Sequence, residues 1–298
     1  MPSSLSLRHL RGLLGKAIPR FTLVFTLAFA SAPKAVAQLP REERPLQEVF
    51  RTDLVYTQER GEIQLTTGMR ARWHQGLLEQ WPVQAEYGMT DRLQLQVEWA
   101  GWQELSPLGQ PSANGPGDVS VGAKYSFMNI RGSAFHAALS FETVLPSGNT
   151  NKDLGDGFLS YTPSLLVARD LSKHRRMQLF TQIGVAFVQR VRHHENPADD
   201  APAAHELEWS GGLFVPLRHA VIVTEVSWQT NKWNHNGQVN EVDLTPGMVW
   251  KIPWRWECGL GASFGLTPAS DRVSLQIKFT KEFHSYETHA RMGGGWQE

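Results

Sequence analysis

The sequence predicts an all-β protein, a transmembrane up-and-down antiparallel β-barrel of about twelve strands. Three observations predict it. Segments of about ten to twelve residues alternate apolar and polar side chains, the length a tilted strand needs to cross a bilayer. The links between these segments tend to be short and long in turn. Tryptophan gathers at the segment ends.

The chain begins with a basic leader (Arg8, Arg11, Lys16, Arg20), the apolar run "FTLVFTLAFA" and the small-x-small site "AVA". This pattern predicts a cleaved secretory signal over residues 1–37, with the cut before Gln38. Residues 38–60 are polar and irregular. They form either a periplasmic arm or a segment tucked into the lumen. The barrel is expected over 61–283, followed by a tail over 284–298.

The segments follow in order. "EIQLTTGMRAR" sets Ile63, Leu65 and Met69 against Arg70 and Arg72. "QWPVQAEYG" sets Trp81, Val83, Ala85 and Tyr87 against Gln84 and Glu86. "RLQLQVEWAGW" sets Leu93, Leu95, Val97 and Trp99 against Arg92, Gln94, Gln96 and Glu98. "GDVSVGAKYSF" and "SAFHAALSFETVL" continue the period of two, placing Lys124 and Glu142 on the polar face. "LSYTPSLLVAR" and "MQLFTQIGVAFVQR" are more apolar on both faces. "ELEWSGGLFVPL", "AVIVTEVSWQT", "EVDLTPGMVWKI" and "RWECGLGASFGL" follow, and "RVSLQIKFTKEF" closes the series with Lys278 opposite Ile277 and Phe279.

Short links fall near Met89, Asn129, Arg218 and Pro253, with a slightly longer one from Asp170. Long links are expected over 103–116, 146–156, 192–205 and 231–240. The first and last links, near 73–77 and 267–271, are short exceptions. A soluble sandwich has no reason to segregate loop lengths this way, whereas a barrel inserted from one side does. Eleven tryptophans are many for 298 residues. Trp73, Trp81, Trp99, Trp102, Trp209, Trp228, Trp250, Trp254 and Trp256 sit at or near segment ends, where interfacial belts would lie. The alternative is a soluble core anchored by Trp.

Composition excludes several classes. One cysteine, Cys258, cannot form an intramolecular disulfide. Formal net charge is zero with no basic block, so nucleic acid is not an expected partner.

Several stretches resemble one family. "GPGDVSVGAKYSF" (Gly115, Gly117, Asp118), "ETVLPSGN" (Pro146, Gly148) and "LTPGMVWKI" (Pro246, Gly247) are similar to motifs of bacterial outer-membrane proteins known as MetA-pathway phenol-degradation transporters. "ERPLQEVF", ending at Phe50, is a looser match. The resemblance implies a barrel of this size and a role in moving small, often hydrophobic or aromatic, compounds across the outer membrane. The chain departs from the common barrel ending, because fifteen residues follow the aromatic Phe283.

The inward face carries both signs of charge. Arg70, Glu86, Arg92, Glu98, Lys124, Glu142, Glu225 and Lys278 are the candidate lumen-lining residues. In a wet lumen they set a field for passing solutes; in a narrow one they pair and close it. His193, His194, Glu195 and His205 share one loop, but no tight spacing makes them a metal site. A barrel lipid hydrolase would need His and Ser two residues apart on one strand. His136 and Ser140 are four apart, roughly 13 Å along a strand, too far to hydrogen-bond. The glycines of "SGG" and "GLGASFG" alternate within strands, which suits curvature or lumen space and not a phosphate cradle.

The sequence therefore predicts a non-enzymatic outer-membrane channel for small molecules, with no cofactor. Its partners would be outer-membrane lipid, a small-molecule solute and the barrel-assembly machinery. The alternatives are a non-conducting structural or adhesive barrel and a barrel lipid hydrolase.

Overall fold

Among the described residues, thirteen strands form a single antiparallel sheet that closes on itself. The computed structural model describes residues 46, 48–74, 76–109, 111–171, 177–193, 195, 202–233 and 239–283. The expected signal (1–37), the first part of the arm and the tail after Phe283 lie outside the described residues. The strands are β1 Ile63–Trp73, β2 Gly76–Gly88, β3 Leu93–Pro107, β4 Ala113–Pro116, β5 Val119–Phe127, β6 Phe135–Leu145 and β7 Phe158–Asp170. They continue as β8 Gln178–Arg190, β9 Glu206–Pro216, β10 Ala220–Thr230, β11 Asn240–Ile252, β12 Trp256–Gly265 and β13 Val273–Phe283.

With β4 set aside, each strand pairs with its neighbours along the chain, and β1 pairs with β13 from Ile63↔Phe283 to Trp73↔Val273. That pairing closes the barrel. β4 and β5 both pair with β3, at its far and near halves, so they are two pieces of one stave broken at Gly117–Asp118. The barrel thus has twelve staves. Closure leaves no open sheet edge, which a lipid environment requires.

Burial is inverted relative to a soluble protein. Lys124 and Glu225 are 1% and 0% exposed, whereas Leu260 and Phe279 are 46% and 45% exposed. On β3, Leu95, Val97 and Trp99 point outward and Gln94 is buried. An outward apolar band with inward polar groups is stable only where the outer solvent is hydrocarbon. No described helix is long and apolar enough to cross a membrane; the strands do so. Trp250, Trp254 and Trp256 lie at one rim, and Trp73, Trp102, Trp209 and Trp228 towards the other.

One rim carries the links 89–92, 128–134, 171–177, 217–219 and 253–255; the other carries 146–157, 191–205, 231–239 and 266–272. The link expected over 103–116 is mostly strand: β3 extends to Pro107, β4 starts at Ala113, and only 108–112 turn. Polar side chains (Gln103, Glu104, Asn114) hid this extension, because there the sheet rises beyond the apolar band.

Candidate functional site

The lumen is occupied by the chain's own N-terminal segment. From Glu62, the segment before β1 runs into the barrel from the short-link rim. It turns at its tip, where Glu48 bridges Asp53 and Val49 N–H donates to the Thr52 carbonyl (3.1 Å). Leu46, Val49, Phe50 and Leu54 to Gln58 are buried. The runs "LQEVF" and "LVYTQ" lie on either side of this turn, and the segment packs inside the sheet.

Buried backbone donors need partners, and wall side chains supply them. Phe50 N–H donates to Glu225 Oε2 at 2.9 Å, and Arg51 N–H to Glu225 Oε1 at 3.2 Å. Asp53 N–H donates to Gln182 Oε1 (3.1 Å) and Gln58 N–H to Gln94 Oε1 (2.9 Å). Lys278 Nζ donates to Glu48 Oε1 at 2.8 Å and to the Val49 carbonyl at 2.7 Å. Arg51 pairs with Asp243 at 3.2 Å. Among the described ion pairs, the lumen charges Lys278 and Asp243 are therefore met by the arm.

Below the tip, towards the short-link rim, apolar side chains meet. Leu54, Val55 and Tyr56 cluster with Ala168, Leu166, Phe180, Phe214, Val221 and Val223. This explains why "LSYTPSLLVAR" and "MQLFTQIGVAFVQR" read as more apolar on both faces: their outer face meets lipid and part of their inner face meets the arm. Tyr56 OH accepts from Gln178 Nε2 (2.6 Å), which also donates to Asp170 Oδ1 (2.7 Å). Asp170 Oδ2 lies 2.9 Å from His136 Nε2, and His136 Nδ1 accepts from Asn129 N–H (3.0 Å). An accepting Nδ1 carries no proton, so Nε2 bears the hydrogen and donates to Asp170. Both ring nitrogens are engaged, which leaves neither to activate Ser140.

Above the tip is a cavity of about 310 Å³. The arm residues from Glu48 to Asp53 form its floor, and its wall includes Arg70, Arg72, Glu98, Glu142, Gln182, Glu208 and Lys278. A cavity of about 120 Å³ shares Arg51, Gln182 and Glu208 with it. The charges are only partly segregated, because Glu98 on β3 and Glu48 of the arm stand on the same side as Arg70 and Lys278. Arg70 and Arg72 on β1 and Lys278 on β13 stand on adjacent staves. Glu142 on β6 and Glu208 on β9 come from the far side of the strand order.

The sequence-derived candidates separate into groups. Arg70, Glu98, Glu142 and Lys278 line the larger cavity. Glu86 is buried lower, where Gln58, Gln64 and Gln94 each donate to it. Lys124 is buried, and its Nζ has no hydrogen-bond partner among the described residues. Glu225 holds the arm tip. Arg92 precedes β3 at the short-link rim, away from either cavity. Strand parity placed it inward, but it belongs to a turn, where parity lapses. Glu208 was not singled out, although the alternation of "ELEWSGG" would have found it. Glu48 and Phe50 lie in the loosely matching "ERPLQEVF", but nothing local assigns them or Arg51 to the lumen.

Several of the motif residues make structural contacts. Asp118 Oδ1 accepts from Gly148 N–H at 2.7 Å, pinning the 146–157 loop to the break between β4 and β5. A Cβ on Gly148 would lie 2.4 Å from the Leu154 carbonyl oxygen. Pro146 begins that loop, Gly115 and Gly117 flank the break, and Pro246 falls where β11–β12 pairing lapses. Gly247 faces the Phe50 ring. Of the histidine loop, His194 and 196–201 lie outside the described residues; Glu195 exchanges hydrogen bonds with Asn151 of the neighbouring loop. Among the described residues no acidic, histidine or cysteine cluster could hold a metal.

A family model matches residues 73–281, seven-tenths of the chain, with the description "Putative MetA-pathway of phenol degradation". The chain belongs to this family. Among solved structures, an outer-membrane channel from Pseudomonas putida F1 is similar, with a TM-score of 0.59 at 12% identity over 79% of this chain and 100% of that one. The KdgM porin gives 0.49 at 11% identity, over 74% and 99%. The CymD monoaromatic hydrocarbon channel gives 0.42 at 9% identity, over 77% and 90%. The likeness to the Pseudomonas putida channel is one of fold. No curated protein sequence matches the chain.

Proposed function

We propose that the protein is an outer-membrane channel through which small molecules diffuse, and that the N-terminal arm closes its lumen. The observation that carries this reading is the charge-lined cavity above the arm tip, in a barrel whose tip residues are held by exchangeable side-chain hydrogen bonds. Lys278 and Arg72 pair with Glu48 and Asp271, while Arg70, Glu98, Glu142 and Glu208 border the open space as well. Family membership supports a small aromatic or hydrophobic solute. The chain is exported behind a cleaved signal, inserted by the barrel-assembly machinery, and surrounded by outer-membrane lipid along its apolar band. The engaged nitrogens of His136 argue against hydrolysis. The rival reading, a permanently plugged structural or adhesive barrel, has the apolar packing below the tip in its favour.

Planar-bilayer conductance separates the two. Refolded chain starting at Gln38 is compared with chain starting at Gly61. Discrete steps that are rare in the first and frequent in the second are expected. Silence from both, with folded insertion verified, would overturn the channel reading and favour the structural barrel.

A further inference from the structure

The Phe50 ring sits in a slot that the barrel wall makes by omitting side chains. A Cβ on Gly247 would come within 2.1 Å of this ring, on Gly261 within 2.7 Å, and on Gly259 within 3.3 Å. Gly247 is on β11 and pairs directly with Gly261 on β12; Gly259 is two residues along on the same face. Three glycines on one inward face give a flat floor of backbone, the width of a single ring. Lys278 Nζ lies 5.7 Å from the ring centroid, within cation–π range. Phe50 also borders the 310 Å³ cavity, so the ring separates the slot from open lumen.

We propose that this slot is a binding site for a planar monocyclic aromatic solute, and that Phe50 occupies it as a built-in stand-in for that solute. This deepens the channel reading and rests on it. Four features point to the ligand class. The floor is flat and lacks side chains, which favours a planar ring over a puckered one. A cation above the ring favours a π face. Two polar side chains at the tip, Glu225 and Lys278, lose arm partners when Phe50 leaves and are then available to a ring substituent. The slot adjoins a cavity at the lower end of the roughly 300–1,000 Å³ range of small-molecule pockets. A solute reaching the cavity from the long-link rim meets Phe50 as a direct competitor. Binding of the solute therefore favours the arm-released state and opens the path by mass action.

The test uses the full chain in lipid nanodiscs, with benzyl alcohol as the aromatic probe and cyclohexylmethanol as its puckered counterpart. Binding is followed by saturation-transfer NMR and titration calorimetry. Phe50→Ala is expected to bind benzyl alcohol saturably, at least tenfold more tightly than wild type and tenfold more tightly than cyclohexylmethanol. Phe50→Ala combined with Gly261→Leu, which refills the slot, is expected to lose that binding. In bilayers, benzyl alcohol is expected to raise the open probability of wild type. Phe50→Leu, which keeps apolar bulk but not the planar ring, replaces the alanine variant if that does not fold. No saturable binding, equal binding of both probes, or binding that survives Gly261→Leu would overturn the proposal. Conductance keeps the two readings distinct. A Phe50→Ala channel that conducts but does not bind the probe removes the slot and leaves the channel. Saturable, slot-dependent binding with no conductance in any variant supports the slot and removes the channel.

Discussion

Replacing Lys278 with methionine tests how the arm is held. Met keeps the unbranched apolar stem and removes only the ammonium. That group donates at 2.8 Å to Glu48 Oε1 and at 2.7 Å to the Val49 carbonyl. Hydrogen bonds to a charged group contribute about 1.5–3 kcal/mol each. Removing one partner of a buried ion pair costs about 3–5 kcal/mol, because the other charge stays desolvated. Glu48 retains 16% side-chain exposure beside the cavity, so the lower end applies, about 3 kcal/mol. At about 1.4 kcal/mol per factor of ten, the balance between docked and released arm moves roughly 100-fold towards release. Released, Glu48 regains water, so the penalty falls on the docked state alone. The assay is open probability in planar bilayers, since unit conductance also changes when a lumen charge is removed. Glu48→Gln in the Lys278→Met background should add little, because the interaction is already gone. An open probability within about twofold of wild type, where about 100-fold in the docking equilibrium is expected, would refute the reasoning.

Three further outcomes follow from the same geometry. Burial raises the Glu48 carboxyl, but the ammonium of Lys278 beside it, with Lys124 and Gln84, outweighs burial and holds it below the ordinary carboxylate range. The docked arm therefore binds this proton less tightly than the released arm. The contribution of Glu48 is whole above the ordinary value of about 4.3 and is lost as pH falls through the docked value; open probability stepped through pH should rise in that acid range, less steeply in Glu48→Gln. Glu98→Gln and Glu142→Gln should move the reversal potential towards anions, while Arg70→Gln and Arg72→Gln should move it towards cations, as read in asymmetric salt; unchanged selectivity in all four would remove them from the conducting path. Gly148→Ala forces its Cβ to within 2.4 Å of the Leu154 carbonyl oxygen and disturbs the Asp118 bond, so about 1–3 kcal/mol of loop stability should go, measurable as faster proteolysis within 146–157.

Much of the barrel was legible because its information is local. A strand repeats every two residues, so Leu95, Val97 and Trp99 declare one face and Gln94 and Glu98 the other without reference to distant parts of the chain. Closure follows, since an open edge in hydrocarbon leaves backbone groups unsatisfied. Parity lapsed at Arg92, which belongs to a turn. It under-read the link after Gln103, where β3 rises beyond the apolar band and its outward side chains become polar. It blurred from 159 to 190, where the inner face meets apolar arm residues.

What parity cannot reach is what fills the lumen. The glycines of "GLGASFG" read as lumen space, but nothing near them names the ring of Phe50 as the occupant. Phe50 N–H and the Glu225 carboxylate that accepts from it are 175 residues apart. The sequence by itself determined the strands, their faces and the membrane that surrounds them, because each depends on neighbours two residues away. Only the tertiary structure decided that the chain's own arm stands in the passage, because that contact exists only once closure has brought β8, β10 and β13 around a common axis.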